Sequence, residues 1–435
     1  MLLERGLMRT RFTLFLAMGA LCACPPIHPD LSDNPEEYID NAAYRRGILE
    51  RDLITRDNSY ATDRLASYGI AGIGWDLLPA VDFPSRPLLD SDREALSNGE
   101  AMDEGELTTL VPSSLPVTDE DWIALGRRVF FEYPIRNDTT YTSLSGMEDG
   151  LEDTGFLRDS DDSWVGLRVF KDSLGTMRVG NTCAQCHASF DGADEPGLDG
   201  ILSNRDMDIG AARIMVMGLV PGDLPPEQES TATGDLDRLG PGRGDVMADG
   251  AFNPFAFPDF GGLRDMPFLH HNANWEQRGV ATLAVRCETL FITSSGRRTR
   301  IPRVLSWALG MWQRSLPAPV PLSTPGPLYA QGETVFEEAG CAGCHVPPLY
   351  SSNREVSVES IGTDPSAGNS PVRGRGVYRI PSLRGVGRTA PYLHDGSIGS
   401  LSEFFDPERE AQGHIFGQSL SPSDKEALIQ FLEGI

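Results

Sequence analysis

The pattern Cys-x-x-Cys-His occurs twice in this chain, as CAQCH at residues 183–187 and as CAGCH at residues 341–345. Two thiols one helical turn apart can each add to a vinyl group of one haem, and the next imidazole can bind its iron. The pattern therefore predicts two covalently bound haem c groups. The attachment residues are Cys183, Cys186, Cys341 and Cys344, and the proximal iron ligands are His187 and His345.

Two other interpretations of the cysteine pairs stay open. Four thiolates could bind one structural zinc ion, but the two pairs lie far apart in the chain. A redox-active dithiol would give no reason for two copies that are each followed by histidine. A zinc-binding structural lipoprotein is therefore expected only if haem is absent.

The first 24 residues have the pattern of an export signal. Three arginines precede an apolar run from Phe12 to Ala23, which is too short to cross a bilayer. The run ends in LCAC at residues 21–24, which resembles a lipobox and makes Cys24 the acylated residue. An ordinary signal peptide cut nearby is the alternative. A periplasmic or cell-envelope protein that is held at the membrane by a lipid anchor is therefore predicted.

Composition restricts the partners of the chain. The 435 residues carry 63 acidic and 37 basic side chains, for a formal net charge of −26, and 40% of them are apolar. An acidic excess of this size argues against nucleic-acid binding, because the phosphates would be repelled. It predicts basic redox partner proteins, whose association should weaken with salt.

A proline-rich segment and two helix-cap patterns predict the domain organisation. The proline-rich residues 315–325 are typical of a stiff linker between a first unit at 118–314 and a second unit at 326–435. Residues 25–117 are predicted to be an accessory region without recognisable chemistry. Thr118 with Asp121, and Ser421 with Asp424, have the spacing of helix N-terminal caps.

An internal repeat relates the two units. Residues 257–263 (FPDFGGL) and 266–270 (MPFLH) resemble residues 380–386 (IPSLRGV) and 390–394 (APYLH). This alignment pairs His270 with His394. A helix with the pattern G-x-x-V-F is also expected before each haem motif, at residues 166–170 and 332–336.

The segment IPSLRGVGRTAPYLHDGS at residues 380–397, which follows a Cys-x-x-Cys-His motif, resembles the bacterial di-haem cytochrome c peroxidase superfamily with its MauG-like enzymes. The resemblance covers residues 118–435. It implies a mainly α fold of two cytochrome-c-type haem domains with long loops. It also implies that one haem stores an electron while the other reduces hydrogen peroxide, and that calcium often lies between them.

The sixth iron ligand of the second unit is restricted by the absence of methionine after Met311. The remaining candidates are His394, His414 or no ligand. The family ligand stands fourteen residues after the position of His394, where this chain has Glu408. His414 is the favoured ligand, and a packing histidine is the alternative.

For the first unit, the candidate sixth ligands nearest the repeated turn are His270, His271 and Met266. The analogy with His394 makes His270 structural and leaves His271 as a candidate, and an open five-coordinate iron is the other possibility. The glutamate-containing segment of the peroxidases is not found, so the catalytic residues are unknown.

Two functions follow from these observations. The resemblance favours an exported redox enzyme with one open haem that reacts with peroxide. The departure at Glu408 and the missing acidic segment favour an electron-transfer cytochrome in which both irons are six-coordinate.

Overall fold

The structure is a computed structural model that describes residues 31–69, 74–135, 139–190, 198–218, 235–247, 249 and 251–435. About 39% of the chain is helical and 11% is strand, and long irregular connections make up the rest. The expectation of a mainly α fold is confirmed in part, since helix dominates but short antiparallel sheets accompany it. Cys24 and the predicted export signal lie outside the described residues.

The helices and strands are short in most of the chain. The helices are α1 Pro35–Asp40, α2 Ala42–Asp52, α3 Ser59–Ser67, α4 Asp90–Ser97, α5 Asp119–Glu132, α6 Thr140–Ser145, α7 Ala184–His187, α8 Ile209–Val216, α9 Leu236–Leu239, α10 Val280–Ser294, α11 Arg303–Ser315, α12 Tyr329–Glu338, α13 Val358–Ile361, α14 Ser366–Asn369, α15 Leu401–Phe404 and α16 Pro422–Glu433. The strands are β1 Ser85–Pro87, β2 Leu167–Lys171, β3 Met177–Asn181, β4 Arg243–Asp245, β5 Pro254–Ala256, β6 Phe268–Leu269, β7 Trp275–Glu276, β8 Glu355–Ser357 and β9 Val377–Arg379.

The strands pair only with antiparallel neighbours. β2 pairs with both β1 and β3, and the two-stranded sheets are β4–β5, β6–β7 and β8–β9. None of the helices in the described ranges has the length and apolarity that a membrane span requires.

The largest apolar core joins α1–α3 to α5, α10 and α11. The predicted cap of α5 is present, since the Thr118 hydroxyl accepts from the Asp121 amide and the Asp121 carboxylate accepts from the Thr118 amide. A separate core lies under β2 and β3, and another joins α12 to α16.

A buried polar network ties the N-terminal helices to α10 and α11. The fully buried Glu288 carboxylate accepts hydrogen bonds from the hydroxyls of Tyr38 and Tyr68 and from Arg303. Arg303 also contacts Asp76 at 2.6 Å. Burial and the charge of Glu288 raise the pKa of both tyrosines well above 10.0, so these phenols stay protonated.

Each haem motif is preceded by a helix that crosses a later helix at a glycine. Gly332 of α12 faces Ala427 and Phe431 of α16, and residues 332–336 are helical as expected. The prediction for residues 166–170 is wrong, because Leu167–Lys171 is strand β2. The helical counterpart is GRRVF at residues 126–130, where Gly126 of α5 faces Ala308 and Trp312 of α11.

Candidate haem-binding sites

Both Cys-x-x-Cys-His motifs form single tight turns. The first begins with Cys183 as the N-cap of α7, and the amide of His187 donates to the Cys183 carbonyl at 3.2 Å. In the second, the amide of His345 donates to the Cys341 carbonyl at 2.9 Å. The turns therefore place both cysteines and the histidine of each motif on one face, as attachment of one haem requires.

The imidazole of each motif is oriented by a carbonyl group. Nδ1 of His187 lies 3.0 Å from the Pro258 carbonyl oxygen. Nδ1 of His345 lies 3.1 Å from the carbonyl of Tyr350 and 3.2 Å from that of Pro381. Because a carbonyl can only accept, Nδ1 carries the proton in both rings and Nε2 is left to bind a metal.

Burial keeps these imidazoles neutral. Desolvation lowers the pKa of His187 to about 4, although the hydrogen bond to Pro258 opposes the shift. The pKa of His345 is also lowered by burial. A neutral imidazole at neutral pH is the form that binds iron.

A cavity of about 590 Å³ opens beside the second motif. Its wall includes Cys341, Cys344 and His345, and its apolar part includes Phe336 of α12 and Leu428 of α16. A space of this size, with two thiols and a neutral imidazole on its wall, fits a covalently attached haem.

His414 and His345 both lie on the wall of this cavity. The two ring centroids are 6.4 Å apart. Two imidazoles on opposite sides of one metal, each with a metal–nitrogen bond of about 2 Å, have centroids roughly 6 to 6.5 Å apart. Burial lowers the pKa of His414 to about 4, and its Nδ1 is buried without a hydrogen bond. The sequence names His414 as a candidate ligand, and the structure supplies the distance between its ring and that of His345.

The backbone holds His414 in place. Its amide donates to the Ile361 carbonyl at 2.8 Å, and Arg409 donates to its carbonyl at 3.1 Å. The residue adopts φ +45°, in the left-handed region that non-glycine residues rarely occupy. Such a conformation persists only where the surroundings impose it.

The three candidate ligands of the first unit all contact other groups. Nε2 of His271 donates to the Ala256 carbonyl at 3.3 Å, and its ring stacks on Phe255. Nε2 of His270 accepts from Nε of Arg286 at 3.4 Å. The sulfur of Met266 accepts a hydrogen bond from Arg379 at 3.1 Å, on the wall of the cavity beside the second motif.

The structure corrects the register of the internal repeat near these histidines. The Arg379 amide donates to the His271 carbonyl, and the Ala256 amide donates to the His394 carbonyl, both at 2.9 Å. His270 shares its left-handed backbone with Leu393, at φ +65° and +68°. The counterpart of His394 is therefore His271, and the analogy that made His270 structural is wrong.

The corrected register extends over both units. His271 stacks on Phe255 of β5, just as His394 stacks on Tyr378 of β9. The proline carbonyls that orient the two motif histidines also occupy equivalent positions, since Pro258 and Pro381 each stand two residues after the end of these strands. The same local framework is thus built twice around the two motifs.

One characterised protein shares sequence with part of this chain. The chain is 31% identical over 84 residues to cytochrome c551 peroxidase of Nitrosomonas europaea. The match covers 17% of this chain and spans about a quarter, 24%, of that relative's length. This match and the two haem motifs support the same relationship. The chain is a distant relative of the bacterial di-haem cytochrome c peroxidases. No protein-family model matches it.

Two solved structures show a weak likeness to this chain. One is a MauG-like protein associated with microbial copper homeostasis, at 16% identity and TM-score 0.38, covering 74% of this chain and 90% of that one. The other is hydrazine synthase of Kuenenia stuttgartiensis, at 14% identity and TM-score 0.34, covering 77% and 98%. Neither score reaches the level at which two chains share a fold.

Proposed function

We propose that the chain is an exported di-haem c-type cytochrome that reduces hydrogen peroxide at one haem and holds an electron at the other. The haems attach to Cys183 and Cys186 in a unit at 118–314, and to Cys341 and Cys344 in a unit at 326–435. The observation that carries the proposal is the repeated site geometry, in which each motif histidine donates from Nδ1 to the equivalent proline carbonyl.

The second site suits a six-coordinate haem. The distance between the His345 and His414 rings matches two axial imidazoles on one iron. An iron with both axial positions filled transfers electrons without binding substrate. We therefore assign the electron-storing role to this site.

The first site suits an open haem. His270, His271 and Met266 each make a contact that occupies the atom an iron would need or turns it toward another group. A haem bound there would supply an iron that binds peroxide and passes electrons to it. The protein would hold His187 as the proximal ligand through Pro258 and shield its ring by stacking with Phe260 at 4.6 Å.

A second function, that of an electron-transfer cytochrome with two six-coordinate haems, has one observation in its favour. Burial and the hydrogen bond to Pro258 have the largest effects on the pKa of His187. The charged side chains that also affect it are Arg286 and Arg205. Neither arginine is suited to move a proton between the peroxide oxygens. The contacts of the three candidate ligands still favour the peroxidase.

The deciding experiment is an electronic spectrum of the purified, haem-loaded protein, oxidised and half-reduced, before and after addition of peroxide. A high-spin band that shifts within seconds of the addition supports the peroxidase. Two unreactive low-spin haems in both states support the electron carrier. Pyridine haemochrome absorbance that shows no haem c would reject both functions.

The environment of the protein is part of the proposal. We place it in the periplasm or cell envelope, with residues 1–24 as the export signal and Cys24 as the lipid attachment point. Basic redox proteins are its expected partners, because the chain carries a net charge of −26. Reduction rates with a basic cytochrome should fall as ionic strength rises, and equal rates at low and high salt would reject this. Calcium between the haems stays a prediction.

A further inference from the structure

Four arginines meet around His270 without a carboxylate partner. Nε of Arg286 donates to Nε2 of His270 at 3.4 Å, and Arg379 donates to the Phe268 carbonyl two residues away. Arg64 and Arg373 lie over the ring of Tyr60, which packs edge-on against the ring of His270. Within the described ranges none of the four forms an ion pair, whereas the neighbouring Arg375 pairs with Glu355 at 2.6 Å. We call these four residues the arginine cluster.

The contacts of the arginine cluster leave donor groups unused. Arg64 and Arg373 lie over the ring of Tyr60, with their guanidinium carbons 3.5 and 4.8 Å from its centroid. Nε of Arg373 and Nε of Arg379 are buried without hydrogen bonds. Desolvation lowers the pKa of Arg373 and of Arg379 to about 10. Buried positive charge with unused donors is costly unless an anion is bound.

The carboxylates of the protein that act on the cluster bind elsewhere. Asp63 pairs with Arg297 at 2.9 Å, and Asp259 pairs with Arg205 at 2.8 Å. Asp245 accepts from the backbone amides of residues 247 and 253. The compensating negative charge therefore has to come from a ligand, although the chain as a whole is strongly acidic.

The cluster lies between the two candidate haem sites. Arg286 stands next to Cys287 on α10, and Cys183 of the first motif packs against the core that contains Cys287. Arg379 lies on the wall of the same cavity as His345 and Cys344 of the second motif. A carboxylate carried by a haem at either motif would thus meet a guanidinium group.

We propose that Arg64, Arg286, Arg373 and Arg379 form a carboxylate-binding site that holds haem propionates, with Arg286 serving the first haem and Arg379 the second. Arginine suits this role because its planar fork pairs with both oxygens of a carboxylate. Arg64 comes from α3, so residues 31–69 would help to position the first haem. The inference rests on the proposed function, since it requires haem at both motifs.

The test measures the two haem midpoint potentials in the haem-loaded full chain by spectroelectrochemical titration. Arg286→Gln should lower mainly the midpoint potential of the first haem, and Arg379→Gln should lower mainly that of the second. The reason is that a nearby positive charge favours the reduced haem. Arg286→Lys should restore most of the first shift. Arg128→Gln, which removes an exposed arginine of α5, is the control and should leave both potentials unchanged.

The outcomes separate this inference from the proposed function. Unchanged potentials in folded Arg286→Gln and Arg379→Gln proteins that hold two haems would overturn the inference and leave the function intact. A protein without haem c would overturn the function itself. If Arg373→Gln leaves the potentials unchanged but abolishes a saturable spectral response to added succinate, the site binds a free carboxylate instead, and the assignment to propionates is wrong.

Discussion

Substitution of Gly126 or Gly332 by alanine should destabilise the protein, because neither helix crossing has room for a methyl group. A Cβ atom at residue 126 would lie 1.9 Å from the Ala308 carbonyl oxygen, and one at residue 332 would lie 2.0 Å from the Ala427 carbonyl oxygen. Real Cβ atoms stay beyond 3.0 Å. Each helix pair must therefore separate by about 1 Å, since a backbone carbonyl in a helix cannot rotate away.

The expected magnitude follows from two opposing effects. Alanine in place of a helical glycine favours the helix by roughly 0.5–1 kcal/mol. Overpacking costs about 1–3 kcal/mol or more, and a clash with backbone belongs at the upper end. The net loss should be about 2 kcal/mol for each variant, which lowers Tm by roughly 4–8 °C for Gly126→Ala in the larger unit and by about twice that for Gly332→Ala in the smaller one.

The assay is urea unfolding of the haem-loaded protein, followed by far-ultraviolet circular dichroism and by haem absorbance. Gly47→Ala in α2 is the matched control, because the nearest atom to its new Cβ is the end of the flexible Leu31 side chain. That variant should be neutral or slightly stabilised. A loss below about 0.5 kcal/mol in both Gly126→Ala and Gly332→Ala would refute the close crossing of the two helix pairs.

Three further outcomes are expected. His414→Ala should convert one low-spin haem to high spin in the electronic spectrum, and an unchanged spectrum would show that His414 is not an axial ligand. Glu288→Gln should cost about 3 kcal/mol in urea unfolding, because it removes one partner of a buried charged pair with Arg303; stability equal to the wild type would contradict this. The contribution of Tyr38 and Tyr68 to stability should be constant below pH 10 and be lost above it, since both keep their protons in the folded protein while unfolded phenols ionise near 10.0. The tyrosinate absorbance of these two residues should rise only as the protein unfolds. Ionisation of every tyrosine in the folded protein would contradict the buried network.

Much of the local structure could be predicted from residue types. The caps at Thr118 and Ser421 form as expected, because a cap depends only on a short polar side chain and the next few amides. The helix at residues 332–336 also forms, since its apolar spacing matches the helical period. The distant relationship to the peroxidases was predicted from short motifs for the same reason, because they lie together in the sequence.

The errors arose where the sequence pattern had two structural solutions. The pattern G-x-x-V-F at residues 166–170 is a strand, because β2 pairs with β1 and β3 and its alternate residues Leu167 and Val169 enter a core. The repeat register at His270 was one residue off, because the two adjacent histidines allow two alignments. Only the backbone conformation and the paired hydrogen bonds distinguish them.

The sequence by itself determined the two Cys-x-x-Cys-His motifs and the helix caps, since each depends on residues close together in the chain. The tertiary structure alone decided which distant side chains meet. It brought the rings of His414 and His345 to 6.4 Å, gave His187 and His345 equivalent carbonyl partners, and gathered four arginines from three separate segments near His270. Such contacts depend on how helices and loops pack over hundreds of residues, and no local pattern encodes that arrangement.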